Sequence, residues 1–149
     1  MKKIVLTALL ILILLQAGGG IAWSQLDDGV DVVKENTLSK NAEAPEKVYA
    51  RYCRAVHSGD VGAIKNLVYS RALPLWNNNS RQMLAMTKNS VPPVPRMISR
   101  RDKQEFQYNY TEMSMTGSMP DGKSVNGNVT MIVEKGQWKV YEEKWRQGI

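Results

Sequence analysis

Residues 45–68 decide the fold, and they read PEKVYARYCRAVHSGDVGAIKNLV. Pro45 suits the first turn of a helix, and the apolar residues after it recur at helical spacing. They are Val48, Tyr49, Tyr52, Cys53 and Val56. Gly59 can adopt the left-handed backbone conformation that ends a helix. Asp60 can then cap a second helix, which carries Val61, Ile64, Leu67 and Val68 on one face. The stretch predicts two short helices that meet at a tight corner.

A third helix is predicted over residues 80–88, with Met83, Leu84 and Thr87 facing inward. The proline-rich segment 91–95, which reads VPPVP, must end it, because a residue before proline is biased away from helical conformation. These helices form the first half of the domain.

After Pro95 the apolar residues alternate, which is the pattern of strands. We expect four of them, at residues 96–101, 105–117, 123–134 and 137–145, with turns at Pro120-Asp121-Gly122 and Lys135-Gly136. The fold class predicted is α+β, with two to three N-terminal helices packed in a curved four-strand antiparallel meander.

Two strands carry apolar residues on both faces. In the second predicted strand, residues 105–117, Phe106, Tyr108 and Tyr110 share one parity, whereas Met113 and Met115 have the other. This change of parity predicts a bulge near Thr111 or Glu112.

In the last strand, Trp138 and Val140 share one parity, and Tyr141, Glu143 and Trp145 share the other. If Trp138 faces the helices, Tyr141 and Trp145 lie on the outer surface of the sheet. Such a patch predicts a homodimer through the sheet. The alternative is a cover supplied by Val30, Val32 and Val33 of the same chain.

The first 24 residues have the pattern of an export signal. Lys2 and Lys3 precede an apolar run over residues 4–15, and Ala22 and Ser24 are the small residues expected before a cut at Gln25. The alternative is an uncleaved membrane anchor over residues 4–23. A polar leader over residues 25–44 and a domain over residues 45–149 follow. Export places the protein in the bacterial periplasm or cell envelope, with membrane contact only if the anchor is retained.

Charge and cysteine content narrow the function classes. The formal charge of +6 falls to +4 when Lys2 and Lys3 are removed, which is too mild to predict a nucleic-acid partner. A single cysteine cannot form an intramolecular disulfide, and one histidine with one cysteine gives no metal-ligand set. We expect no metal and no cofactor.

Several of these residues resemble the nuclear-transport-factor-two-like superfamily. They are the helix pair around Val48, Tyr49, Tyr52 and Val56 with its Ser58-Gly59-Asp60 corner, Ala63, Ile64 and Leu67, and the closing Gly127, Val129, Val133, Gly136, Gln137, Trp138, Lys139 and Val140. The similarity extends to exported bacterial members. It implies a cystatin-like cone, in which a curved sheet wraps around the first helix, with a pocket at the open end and dimers through the sheet. No position matches a catalytic motif of the superfamily.

Few side chains are candidates for chemistry. His57, Tyr52 and Glu112 are the weak catalytic candidates, although a histidine at a helix end also interacts favourably with the helix dipole. Cys53 falls on the apolar stripe and is expected to be buried. The candidates for the lining of a pocket for a small apolar ligand are Tyr49, Tyr52, Tyr108, Tyr110, Met113 and Trp138.

The leading functional hypothesis is a non-enzymatic exported domain that binds a small molecule or a partner protein of the envelope. A second is an envelope enzyme of isomerase, dehydratase or hydrolase type, which would need a buried ionisable group beside a second polar residue. A third is the periplasmic module of a membrane-tethered assembly. The basic run of Arg96, Arg100, Arg101 and Lys103 is interpreted as a charged edge strand, or else as a contact for anionic lipid or envelope polymer.

Overall fold

The computed structural model describes residues 37–148, and it has an α+β architecture. The helices are α1 (Pro45–Ser58), α2 (Val61–Leu67), a 3₁₀ turn (Ser70–Ala72), α3 (Leu73–Asn78) and α4 (Ser80–Lys88). The strands are β1 (Arg96–Glu105), β2 (Tyr108–Ser118), β3 (Ser124–Glu134) and β4 (Gln137–Gln147). They form one open antiparallel sheet in the order β1-β2-β3-β4, as the meander prediction requires. The predicted export signal and the leader up to residue 36 lie outside the described residues.

The corner between α1 and α2 is confirmed. Gly59 ends α1 with a φ of 79°, and its neighbour Asp60 accepts a hydrogen bond from the Ala63 amide at 2.9 Å. The third predicted helix is confirmed as α4, whereas the 3₁₀ turn and α3 were not predicted. Their sequence, SRALPLWNN, has no clear period, and the buried side chain of Trp76 fixes α3 in place.

The core lies between α1 and one face of the sheet. Helix α1 contributes Val48, Tyr49, Tyr52, Cys53, Ala55 and Val56, and the sheet contributes Met113, Met115, Val129, Met131, Val133, Trp138 and Val140. Burial of this much apolar surface is what holds the single layer of helices on the sheet, since each large apolar side chain contributes about 1.5–3 kcal/mol.

The predicted bulge near Thr111 or Glu112 is wrong. Thr111 pairs with Asp102 on one side and Met131 on the other, and Glu112 pairs with Arg101 and Thr130 in the same unbroken register. The parity change arises because β2 packs apolar side chains on both faces. Its methionines face α1, and its tyrosines lie on the outer face of the sheet.

The sheet is irregular at two other places. In β1 the register shifts between Met97 and Ser99. In β4, Val140 pairs with Met131 and Glu142 pairs with the adjacent Thr130, so Tyr141 is an inserted residue. An insertion reverses the faces of all the residues beyond it. Tyr141 is half exposed, but Glu143 and Trp145 turn toward α1, so the prediction of Trp145 on the outer surface is wrong.

None of the helices within residues 37–148 is long and apolar enough to cross a membrane.

Candidate functional site

The candidate site is built on two rows of the sheet that face α1. In one row Met113, Val129 and Glu143 are paired across β2, β3 and β4. In the next row the paired residues are Met115, Gly127 and Trp145. The bulge at Tyr141 therefore places a carboxylate and an indole against the buried face of α1.

Glu143 is held by two tyrosines of α1. The Tyr49 hydroxyl donates to Oε2 of Glu143 at 2.6 Å, and the Tyr52 hydroxyl donates to Oε1 at 2.9 Å. Trp145 extends the network, since its Nε1 donates to the Tyr49 hydroxyl oxygen at 3.1 Å. Tyr49 and Tyr52 are three residues apart, so they lie on the same side of the helix, with ring centroids 5.7 Å apart.

The electrostatics of this network follow from its burial. Burial raises the pKa of Glu143, against the opposing effect of the hydrogen bonds from Tyr49, Tyr52 and Trp145. Burial and then the charge of Glu143 raise the pKa of both tyrosines well above their ordinary range. Both hydroxyls therefore keep their protons, and Glu143 is the group of this network that gains or loses a proton most readily.

An open cleft of about 570 Å³ lies at the end of the sheet where Trp145 is found. Its walls come from the end of α4, the β2–β3 turn and the adjoining ends of β3 and β4. The lining includes apolar Met119, Pro120, Val125 and Trp145, with polar Lys88, Asn89, Ser90, Asp121, Lys123 and Gln147. Neither Glu143 nor its two tyrosines belong to the lining of this cleft, and Trp145 is the residue shared by the cleft and the network.

Trp145 is a rigid wall of the cleft. Its ring packs closely against Gly127, where an added Cβ would lie 2.5 Å from Cδ2 of the indole. Together with the hydrogen bond to Tyr49, this contact fixes both the position and the rotation of the ring. A preformed aromatic wall lowers the conformational cost of binding a ligand.

The predicted pocket residues do not converge on one cavity. Tyr49 and Tyr52 lie in the Glu143 network, and Met113 and Trp138 are buried in the core. Tyr108 and Tyr110 lie on the outer face, with Tyr110 paired to Ile132, so the interior placement predicted for these two is wrong.

The outer face instead carries a chain of aromatic contacts. Tyr69 lies 5.6 Å from Tyr141, Tyr141 lies 5.7 Å from Tyr110, and Tyr110 lies 6.1 Å from Tyr108 between ring centroids. Ile132, at the same row as Tyr110, is buried on this side of the sheet. Of the two predicted interface residues, Tyr141 alone is on this face.

The remaining candidates have structural partners. Nε2 of His57 donates to the Val91 carbonyl at 2.7 Å, which ties the end of α1 to the segment after α4. The catalytic candidate Glu112 lies on the outer face of the sheet, where it accepts from Lys103 at 2.6 Å, so it does not face α1. Cys53 is fully buried, as expected, and burial raises the pKa of its thiol well above the ordinary range.

Sequence reasoning missed Glu143 because it treated Tyr141 as an ordinary strand residue. The sequence signal for the inserted residue was the change of parity between Val140 and Trp145. A change of the same kind in β2 was interpreted as a bulge, but it is in β4 that the change marks an inserted residue.

Comparisons with known proteins do not assign this chain to a family. No family model matches the chain, and no curated protein matches it significantly. Within residues 37–148, no cluster of three histidine, cysteine or acidic side chains could hold a metal ion.

Proposed function

We propose that this chain is an exported envelope domain, of the cone-shaped nuclear-transport-factor-two-like type, that binds a small organic ligand in the cleft walled by Trp145. The observation that carries the proposal is the dual role of Trp145, whose ring lines a cleft of ligand size and is held by Tyr49 and Gly127. Ligand sites in proteins typically measure about 300–1,000 Å³ and combine apolar walls with a few polar groups.

The composition of the cleft indicates the kind of ligand. Met119, Val125 and Trp145 offer apolar contact, and Asn89, Ser90 and Gln147 provide polar groups at its wall. A ligand with a flat apolar body and polar substituents fits this lining. Export is supported by the sequence of residues 1–24, and the fold type by the residues in which the chain resembles the superfamily.

Catalysis is the second candidate, and one observation favours it. Glu143 is a buried ionisable group with a raised pKa beside two tyrosine hydroxyls. An envelope enzyme of isomerase, dehydratase or hydrolase type would need such a group. It carries less weight because both oxygens of Glu143 already accept hydrogen bonds and the carboxylate does not line the cleft. The indole of Trp145 donates a hydrogen bond but does not relay protons.

A screen of small organic compounds by protein NMR tests the binding proposal. We expect bound compounds to shift the indole N–H signal of Trp145 and to leave that of Trp138 unchanged, because Trp138 lies at the other end of β4, beside a separate cleft. Met119→Trp should narrow the cleft and weaken binding, whereas Met86→Trp, at an exposed position of α4 outside the cleft, should not. Compounds that bind both variants equally would contradict the proposal.

We also propose that two copies associate through the outer face of the sheet, with Tyr141 near the centre of the contact. The exposed ring of Tyr141 and the partly exposed ring of Tyr110 supply the apolar surface, and the buried ring of Tyr69 packs beside Tyr141. Sedimentation across micromolar concentrations should show a dimer that Tyr141→Ala weakens. A monomer at every concentration would refute this part of the proposal.

A further inference from the structure

Strand β1 is exposed to an unusual degree for a strand of this length. Nine of its ten residues are exposed, so both faces of the strand lie open to solvent. It is the outermost strand of the sheet, and within residues 37–148 its second edge pairs with no other strand. A long edge strand with free backbone donors and acceptors is a template for pairing with another strand.

Apolar side chains lie exposed along this strand and just before it. Ile98, the residue at the irregularity of β1, is 63% exposed, and Val94 is 80% exposed. Exposed side chains of this kind give a docked strand contacts in addition to its backbone hydrogen bonds.

The charges of β1 select the partner. Arg100 is neutralised by Asp102 at 2.8 Å, and Lys103 by Glu112 at 2.6 Å. Arg96 and Arg101 form no ion pair with any residue between 37 and 148. Two free cations on an open edge favour an acidic strand.

The same charges disfavour a second copy of β1. The sequence of the strand, RMISRRDKQE, contains four cationic and two acidic residues. Edge-to-edge pairing of two such strands would bring like charges together, which destabilises a cross-strand pair. A lipid surface would satisfy the cations but would leave the backbone groups of the edge unpaired.

We propose that the free edge of β1 is a docking site for an extended acidic segment of a partner protein, which adds to the sheet as a fifth strand. The regular part of β1 from Ser99 to Glu105 provides the backbone pairing, and Arg96 and Arg101 provide the charge selection. This site is separate from the cleft at Trp145, so it adds a protein partner to the proposed ligand-binding role.

Binding of a synthetic peptide to the full chain tests the proposal. The probe is a peptide of about seven residues in which valine alternates with aspartate, and the control peptide has lysine in place of aspartate. We expect the aspartate peptide to bind, to shift the backbone amide NMR signals of β1, and to bind more weakly as salt is added, and we expect no binding of the lysine peptide.

Charge reversal provides the matched variants. Arg96→Glu combined with Arg101→Glu should weaken binding of the aspartate peptide by about tenfold or more, because both cations oppose its charge. Arg54→Glu reverses an exposed arginine on α1 rather than on the edge strand, and should change the affinity by less than about twofold. All three side chains are exposed, so circular dichroism should report an unchanged fold.

Three results would overturn the proposal. One is the absence of peptide binding, or equal binding of the two peptides. The second is a dimer of the chain that the double variant abolishes, since a second copy would then occupy the edge. The third is adsorption to anionic lipid vesicles that the double variant abolishes while the aspartate peptide does not bind.

Discussion

The hydroxyl of Tyr49 donates to Glu143 at 2.6 Å across 94 positions of the sequence, and this contact joins α1 to β4. The same hydroxyl accepts from Trp145, so one tyrosine connects the buried carboxylate to the wall of the cleft. The stability of the fold and the shape of the cleft therefore depend on a common set of side chains.

Replacement of Glu143 should destabilise the domain. Glu143→Ala removes the acceptor of two buried tyrosine hydroxyls, and each unsatisfied group costs about 1–3 kcal/mol. Urea unfolding should show a loss of about 2–5 kcal/mol in the free energy of unfolding. Glu142→Ala is the control, since that neighbour is exposed and forms a surface ion pair with Lys144, and it should change stability by less than about 1 kcal/mol. Equal effects of the two variants would contradict the burial of Glu143.

Glu143 should also make stability depend on pH. Its pKa is higher in the folded chain than in the unfolded chain, so the folded state takes up the proton first as pH falls. The contribution of this group to stability is therefore least favourable above the folded pKa and improves on acidification through it. As the pH is lowered toward the ordinary glutamate pKa of 4.5, the free energy of unfolding of the native chain should rise relative to that of Glu143→Gln. A constant difference between the two proteins would show that this carboxyl group titrates normally.

Gly127 should be intolerant of any side chain. Gly127→Ala places a methyl group 2.5 Å from Cδ2 of Trp145, so the indole must move. We expect a loss of about 1–3 kcal/mol in stability, a change in tryptophan fluorescence and weaker binding of cleft ligands. Gly62→Ala in α2 is the matched control. The added Cβ would lie 3.4 Å from Asp60 Oδ1, which is an ordinary contact, and alanine is more favourable than glycine in a helix by about 1 kcal/mol. A Gly127→Ala protein as stable as the native chain would mean that the ring is loosely held.

Cys53 should react slowly with thiol reagents. Its side chain is fully buried in the core, and burial raises the pKa of the thiol, so little thiolate is present or accessible. In native buffer we expect labelling far slower than in urea, as measured by mass spectrometry. Labelling at the rate of the unfolded chain would show that the helix opens readily.

Export should remove residues 1–24 and leave Gln25 as the first residue, because Ala22 and Ser24 are the small pair before that bond. The mass of the protein recovered from the host envelope measures this directly. A full-length mass in membranes that resist carbonate extraction would favour the anchor instead.

Local patterns in the sequence were enough to predict most of the secondary structure. The helical period of residues 45–68 and the Gly59-Asp60 corner predicted α1 and α2, since a cap and a left-handed glycine act within a few residues of the chain. The alternating segments after Pro95 predicted the four strands and their antiparallel order, because their short turns leave neighbouring strands no other arrangement. The stripe that contains Cys53 was likewise predicted to be buried.

Tertiary structure decided which face each side chain of the sheet takes. A change of parity has two physical solutions, which are an inserted residue or a strand that is apolar on both faces, and the sequence pattern is the same for both. In β2 the tyrosines pack against each other and against Tyr141 on the outer face, and the register is unbroken. In β4 the insertion of Tyr141 turns Glu143 and Trp145 toward α1. The carboxylate finds its partners Tyr49 and Tyr52 only through that long-range contact, and for this reason the candidate site could not be predicted from local pattern.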